Sequence, residues 1–130
     1  AICYDMDFPA YIRQAGAMGA DLLLAPSNDW PEIKETHWRM ARMPAIENGV
    51  PVLRPSSSGV STAMDPYGRI LSRVDFFESG GSPIYAVFPM GSIPTVYSGF
   101  GDAWAWICVI SIVILFFLSV RRMWKAKASG

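Results

Sequence analysis

The sequence predicts an α/β domain followed by one membrane-crossing helix, and three observations carry that expectation. Over residues 1–101 short apolar runs alternate with Gly, Pro and polar clusters, the punctuation of strands and helices joined by turns. From Ala103 to Val120 the chain carries no charge, and Ser111 is its one polar side chain besides Cys108 and the terminal Ser119. Four of the eleven basic residues (Arg121, Arg122, Lys125, Lys127) then fall within the last ten positions.

Ala1 to Tyr4 reads as the end of a buried strand, and Phe8 to Met18 as a helix with Phe8, Tyr11, Ile12 and Ala15 on one face. Asp21 to Ala25 is a short apolar run stopped by Pro26, the pattern of a strand covered on both faces. Ser27 to Pro31 is a loop by composition, and Glu32 to Asn48 a longer helix closed by Gly49, with Pro44 expected to kink or split it. Val50 to Leu53 and Val60 to Met64 read as strands, and Asp65-Pro66-Tyr67-Gly68 as a tight turn into a hairpin partner over Arg69 to Val74. Asp75 to Pro83 is a loop, Ile84 to Phe88 a last strand, and Pro89 to Gly101 a Gly/Pro-rich connection.

The eighteen residues of the apolar run make a helix of roughly 27 Å, close to a hydrocarbon thickness of about 30 Å. Trp104, Trp106 and Trp124 flank it as interfacial anchors do. The formal net charge is zero, but the first 120 residues hold 7 basic against 11 acidic side chains, a net charge of −4. A basic tail directly after an apolar span is the positive-inside pattern, which puts the C-terminus in the cytoplasm and residues 1–101 on the extracytoplasmic side. The expected organisation is a domain over 1–101, a transmembrane helix over 102–122 and a basic cytoplasmic tail over 123–130. The chain opens on Ala1 with no initiator Met or signal-peptide pattern and reads as part of a longer protein.

Cys3 and Cys108 form no disulfide framework, since one opens the domain and the other sits inside the span. Cys3 stands where an apolar strand gives way to a helix, a turn that exposes its side chain and can aim the Tyr4 N–H at an oxyanion. On position alone, Cys3 serves either as a nucleophile or as an inert core residue. His37 is the sole histidine, with no metal partner at ligand spacing, and reads as structural. Ser56-Ser57-Ser58-Gly59 lacks the Gly-x-Ser-x-Gly elbow and reads as a polar turn. Trp30 and Trp38 either flank a substrate channel or simply pack. The tail's basic residues favour anionic lipid over nucleic acid.

Ile2-Cys3-Tyr4-Asp5 with Phe8-Pro9 resembles the nucleophile turn of the nitrilase (carbon-nitrogen hydrolase) superfamily. Leu22 to Trp30 resembles the family's next strand and substrate-side loop, Met40-Ala41-Arg42 with Ala45 to Asn48 its next helix, and Asp65 to Ile70 its late hairpin. Within the superfamily the chain is similar to the apolipoprotein N-acyltransferases, through His37 to Arg42, Arg54 with Ser56 to Gly59, and Pro94 to Tyr97 with Gly101, Asp102 and Trp106 ahead of the span.

The resemblance implies part of an α-β-β-α sandwich. It implies a Cys3 nucleophile aided by Tyr4 and Asp5, and Asn28, Asp29 and Trp30 on the substrate side. The family's Glu base and oxyanion-stabilising Lys lie upstream of the nucleophile turn, and none of Glu32, Lys34, Glu35 or Glu47 matches them. Glu47 at most supports the site from behind the groups that touch substrate. Asp5 stands where the acyltransferases usually carry Glu, and the loop after Trp30 also departs from their pattern.

The implied activity is transfer of an acyl chain from a phospholipid donor to the N-terminal amine of a lipoprotein acceptor through a Cys thioester. It would take place at the bacterial inner membrane, with no cofactor, metal or nucleic acid, and these 130 residues alone are expected to be inactive. The alternatives are a membrane-tethered amidase that hydrolyses a small amide, and a non-catalytic interaction module.

Overall fold

A computed structural model describes residues 1–128, with side chains through Lys125. It divides into two compact units, Ala1–Gly99 and Phe100–Gly130. Unit one opens with a 3-10 turn over Cys3–Asp7 and continues through α1 (Pro9–Ala17), β1 (Leu23–Leu24), α2 (Lys34–Asn48), β2 (Val52–Arg54), β3 (Val60–Met64), β4 (Ile70–Asp75) and α3 (Phe76–Ser79). A short helix α4 (Val96–Phe100) follows, then α5 (Ala103–Ala128).

The sheet order is β1-β2-β3-β4, with β1 parallel to β2 and the other pairs antiparallel. A helix crossover joins the parallel pair, while tight connections suffice for the antiparallel ones. The β3–β4 hairpin is turned by Asp65, whose buried carboxylate accepts the backbone N–H groups of Tyr67 (2.9 Å) and Arg69 (2.8 Å) while Gly68 N–H returns to the Asp65 carbonyl (2.9 Å). The core gathers Met6 from the opening turn, Ile12 from α1, Ala25 just past β1, Ala41 and Ala45 from α2, and Val52 and Met64 from β2 and β3.

Pro9 takes the first position of α1, where its fixed φ is already helical and its missing N–H had no intrahelical partner. Gly49 ends α2 at φ 62°, in the left-handed region, with its N–H turned back on the carbonyls of Ala45 and Ile46. Pro44, expected to kink or split α2, does not split it: the helix runs unbroken over Lys34–Asn48. The proline removes one backbone bond, but it is buried, and its carbonyl accepts from Asn48 Nδ2 at 2.9 Å, so packing holds the helix together.

Several expected boundaries shift. Residues 1–4 form no strand, although Cys3 N–H donates to the Pro26 carbonyl (2.9 Å) and ties the opening segment beside β1. Over 21–25 only Leu23–Leu24 is strand, and Leu24 is 54% exposed, so the segment is not covered on both faces. Ile84 to Phe88 alternates like a strand but finds no ladder partner among the described residues, and Tyr85 and Val87 stand exposed. The expected loop after β4 begins as α3, because the Asp75 side chain accepts Phe77 N–H (3.0 Å) and its carbonyl accepts Ser79 Oγ–H (2.6 Å).

In unit two, Ala103–Lys125 is 23 residues long and contains an 18-residue stretch with a mean hydropathy of 2.6, none of it buried, so this helix is long and apolar enough to cross a membrane. Ser111 satisfies its hydroxyl internally, donating to the Ile107 carbonyl at 2.7 Å. Of the basic tail expected over 123–130, residues 129–130 and the side chains of 126–130, Lys127 included, lie outside the described residues.

Candidate active site

Cys3 has φ 44°, and it is the one residue other than glycine in the left-handed region among those described. Such a conformation costs a residue with a Cβ on the order of 1–3 kcal/mol, and the surroundings must hold it. They do so through backbone: Cys3 N–H donates to Pro26, and Asp5 N–H donates to the Ile2 carbonyl (2.9 Å). Asp5 adds its own carboxylate, which accepts Ile2 N–H at 2.7 Å and closes the turn that carries the sulfur. The Cys3 thiol is directed at the Asn28 carbonyl, 3.9 Å away.

This turn faces an open cavity of about 710 Å³, lined by Cys3, Tyr4, Asn28 and Trp30, together with Asp7, Ile33, Thr36, His37 and Met40. The turn supplies Cys3, Tyr4 and Asp7, the loop after β1 supplies Asn28 and Trp30, and α2 supplies Thr36, His37 and Met40. Tyr4 packs edge-on against Phe8, with ring centroids 5.4 Å apart. Asn28 Oδ1 accepts Ser57 Oγ–H at 2.8 Å, which fastens its loop to the segment after β2.

Behind the cavity lies a buried polar cluster centred on Asp29. Arg54, fully buried at the end of β2, donates through Nη2 to both Asp29 oxygens (2.9 and 3.0 Å) and through Nη1 to the Val60 carbonyl (3.3 Å). Ser56 Oγ donates to Asp29 Oδ2 (3.1 Å), and His37 Nδ1 lies 2.6 Å from Oδ1. Burial alone would raise the Asp29 carboxyl, but the hydrogen bonds and charges of Arg54 and His37 outweigh it and hold the group below its ordinary value.

An ionised Asp29 can only accept, so the proton between it and His37 sits on Nδ1. The 3.1 Å approach of Arg54 Nη2 to that nitrogen is then two donors converging on one carboxylate. The Cys3 sulfur, an Asp29 oxygen and a His37 nitrogen lie within 4.8 Å of one another. Three such atoms could in principle hold a cation, but Asp29 is already neutralised by Arg54.

Of the residues singled out from sequence, Cys3, Tyr4, Asn28 and Trp30 therefore meet at the cavity. Asp29 stands behind it, and Asp5 braces the turn from within. Glu47 does not line the cavity; its carbonyl accepts the Thr95 hydroxyl near the far end of α2. His37, expected to be structural, joins cavity and cluster at once. Asp7, Arg54 and Ser56 escaped the sequence reading as site residues, and a charged Arg54 closing an apolar strand was the available signal.

A cysteine held in a left-handed turn at the edge of a mixed sheet, facing an open cavity, is an arrangement suited to nucleophilic catalysis. Residues 1–93 match the carbon-nitrogen hydrolase family, and the chain belongs to that enzyme family. It is 29% identical over 122 residues to an apolipoprotein N-acyltransferase of Rickettsia prowazekii, a match covering 90% of this chain. The chain spans about a quarter of that curated relative's length, 24%.

Among solved structures, Saccharomyces cerevisiae Nit3, a member of branch 10 of the nitrilase superfamily, is 29% identical with a TM-score of 0.58, over 79% of this chain and 40% of Nit3. A mutant amidase from Nesterenkonia sp. AN1 carries the acetamide moiety of fluoroacetamide added covalently at its active-site cysteine. It is 26% identical with a TM-score of 0.51, over 57% of this chain and 32% of the amidase.

Proposed function

We propose that this chain is part of a membrane acyltransferase in which Cys3 carries the acyl group between a phospholipid donor and the N-terminal amine of a lipoprotein. The observation that carries the reading is the Cys3 turn itself, with a φ of 44° and the sulfur facing the cavity, in a chain similar to apolipoprotein N-acyltransferases. In the first half-reaction the Cys3 sulfur attacks the ester carbonyl carbon. The tetrahedral oxyanion is met by the Tyr4 N–H, the C–O bond breaks, and a lysophospholipid leaves with the proton removed from the thiol. In the second, the lipoprotein amine attacks the thioester, a C–N bond forms, the C–S bond breaks and the thiol is regenerated. The family's Glu and Lys, upstream of the nucleophile turn, would move the proton and help hold the oxyanion.

In this reading α5 spans the bacterial inner membrane with the C-terminus in the cytoplasm, the domain of residues 1–101 lies on the periplasmic or extracytoplasmic side, and Asn28 and Trp30 shape the substrate side while Asp29, expected there too, supports His37 from behind the cavity. The test is to incubate the full-length protein with phospholipid labelled in its acyl chain and look for a hydroxylamine-sensitive label on the Cys3 peptide. Label that disappears in Cys3→Ala supports the reading, and no label in the wild type ends it.

The likeness to the Nesterenkonia amidase favours a second reading, a membrane-tethered amidase in which water resolves the acyl-enzyme. Release of ammonia from a small amide, without phospholipid labelling, would favour it.

A further inference from the structure

Among the described residues, Asp7 is the one acidic side chain lining the cavity, and no hydrogen-bond donor reaches it. It shares the cavity wall with Cys3, its side chain is 13% exposed, and its Oδ1 is buried with no hydrogen-bond partner. Its Oδ2 faces His37 Nε2 at 3.7 Å, beyond hydrogen-bond range, and no lysine or arginine pairs with it among the described residues. The buried carboxylates of Asp29, Asp65 and Asp75 are each met by two or more donors. The Nδ1–H of His37 is committed to Asp29, and its Nε2, the ring atom on the Asp7 side, stands too far off to satisfy that carboxylate with a hydrogen bond. The Asp7 carboxylate thus has no hydrogen-bond donor among the described residues, in a cavity otherwise walled largely by Tyr4, Trp30, Ile33 and Met40. A buried carboxylate in such a setting is stable only when a cation or donor reaches it.

We infer that Asp7 recognises a primary ammonium group beside Cys3, and that it is the specificity-determining residue for the amine acceptor, which gives up its ammonium proton to the family's upstream Glu before the free amine attacks the thioester. A primary ammonium presents its donors on a compact cation, and Asp7 Oδ2, the carboxylate oxygen on the His37 side of the cavity wall, can accept from it. The same carboxylate repels anionic acceptors, so selection works against wrong partners as well as for the right one. The role as acceptor site rests on the acyltransferase reading; the preference of the Cys3 cavity for cations does not.

Methanethiosulfonates that differ only in charge separate the two. In each, the Cys3 sulfur forms a disulfide with the reagent's alkylthio group and methanesulfinate leaves. Rates for aminoethyl (cationic), methyl (neutral) and sulfonatoethyl (anionic) reagents are read on the Cys3 peptide of the full-length protein by mass spectrometry. Asp7→Asn should lower the cationic-to-neutral rate ratio about tenfold, the scale of one lost charge contact, and Asp7→Glu should restore it. In the wild type, added salt should slow the cationic reagent and leave the neutral one alone, a readout that needs no variant to fold. A ratio indifferent to both salt and Asp7→Asn means that Asp7 is neutralised by another group, and the assignment fails.

The acceptor role has its own arm in acyl transfer from the labelled enzyme to peptides with a free N-terminus or with an acetylated N-terminus and a lysine. Asp7→Asn should raise KM about tenfold for whichever ammonium is used, with kcat less affected. Equal KM in the two proteins would overturn that role. Absence of the acyl-enzyme in the wild type would remove the acyltransferase reading and leave the reagent selectivity standing.

Discussion

Gly59 shows how closely the buried cluster is packed at the scale of single residues. A Cβ there would lie 2.5 Å from Asp29 Oδ2, 2.7 Å from Asp29 Cβ and 2.8 Å from Ser56 Oγ. Any side chain must therefore displace the carboxylate that Arg54 and His37 hold. Gly59→Ala is expected to lower stability by about 1–3 kcal/mol through overpacking and to alter Cys3 reactivity as Asp29 and His37 shift. A thermal unfolding scan with Cys3 alkylation rates checks this, and a wild-type result in both would show that the cluster yields without cost. Cys3 could be read from the sequence as a nucleophile only through its flanking residues. Its left-handed backbone could not, because φ is set by the contacts of residues 2, 5 and 26 around it.

At the scale of elements, the hairpin was legible because Asp65-Pro66-Tyr67-Gly68 encodes its own turn, and α2 was legible because Gly49 marks its end. Both signals are local, and local chemistry survives folding. Ile84 to Phe88 failed for the opposite reason: a strand needs a partner edge, and periodicity alone does not supply one. The helix α5 allows a direct prediction, since Arg121, Arg122 and Lys125 follow its apolar run. A reporter fused after Gly130 in the full-length protein should report the cytoplasm, fluorescing as a green fluorescent protein and staying inactive as alkaline phosphatase. The reverse pattern would remove the proposed orientation, and replacing the three basic residues by Asn should weaken the bias if charge sets it.

The whole molecule should answer to acid through its buried carboxylates. Hydrogen bonds from Arg54 and His37 overcome burial at Asp29, those from Arg69 and the turn backbone overcome it at Asp65, and at Asp75 the hydrogen bond from Lys34 leads. All three are held below their ordinary value, so the unfolded chain binds more protons than the folded one. Their stabilisation is complete above the unfolded value of about 4 and is lost as pH falls through the lowered folded values. Unfolding midpoints should thus be level from pH 7 to about 5 and fall steeply below about 4. Arg54→Met should also destabilise strongly at pH 7, by about 3–5 kcal/mol, because it strands Asp29 without its cation. A flat profile down to pH 3 would contradict the account.

By itself the sequence determined the α/β class, the hairpin, the capped helix and the long apolar helix, because each is written in neighbouring residues whose spacing matches a period or a turn. Only the tertiary structure decided that Asp29, His37, Arg54 and Ser56 form one cluster, that Asp5 braces while Asp7 faces the cavity, and that Cys3 sits at positive φ. These residues come from separate elements up to 53 positions apart, between Cys3 and Ser56. Their proximity arises from sheet register and burial, which no local pattern encodes.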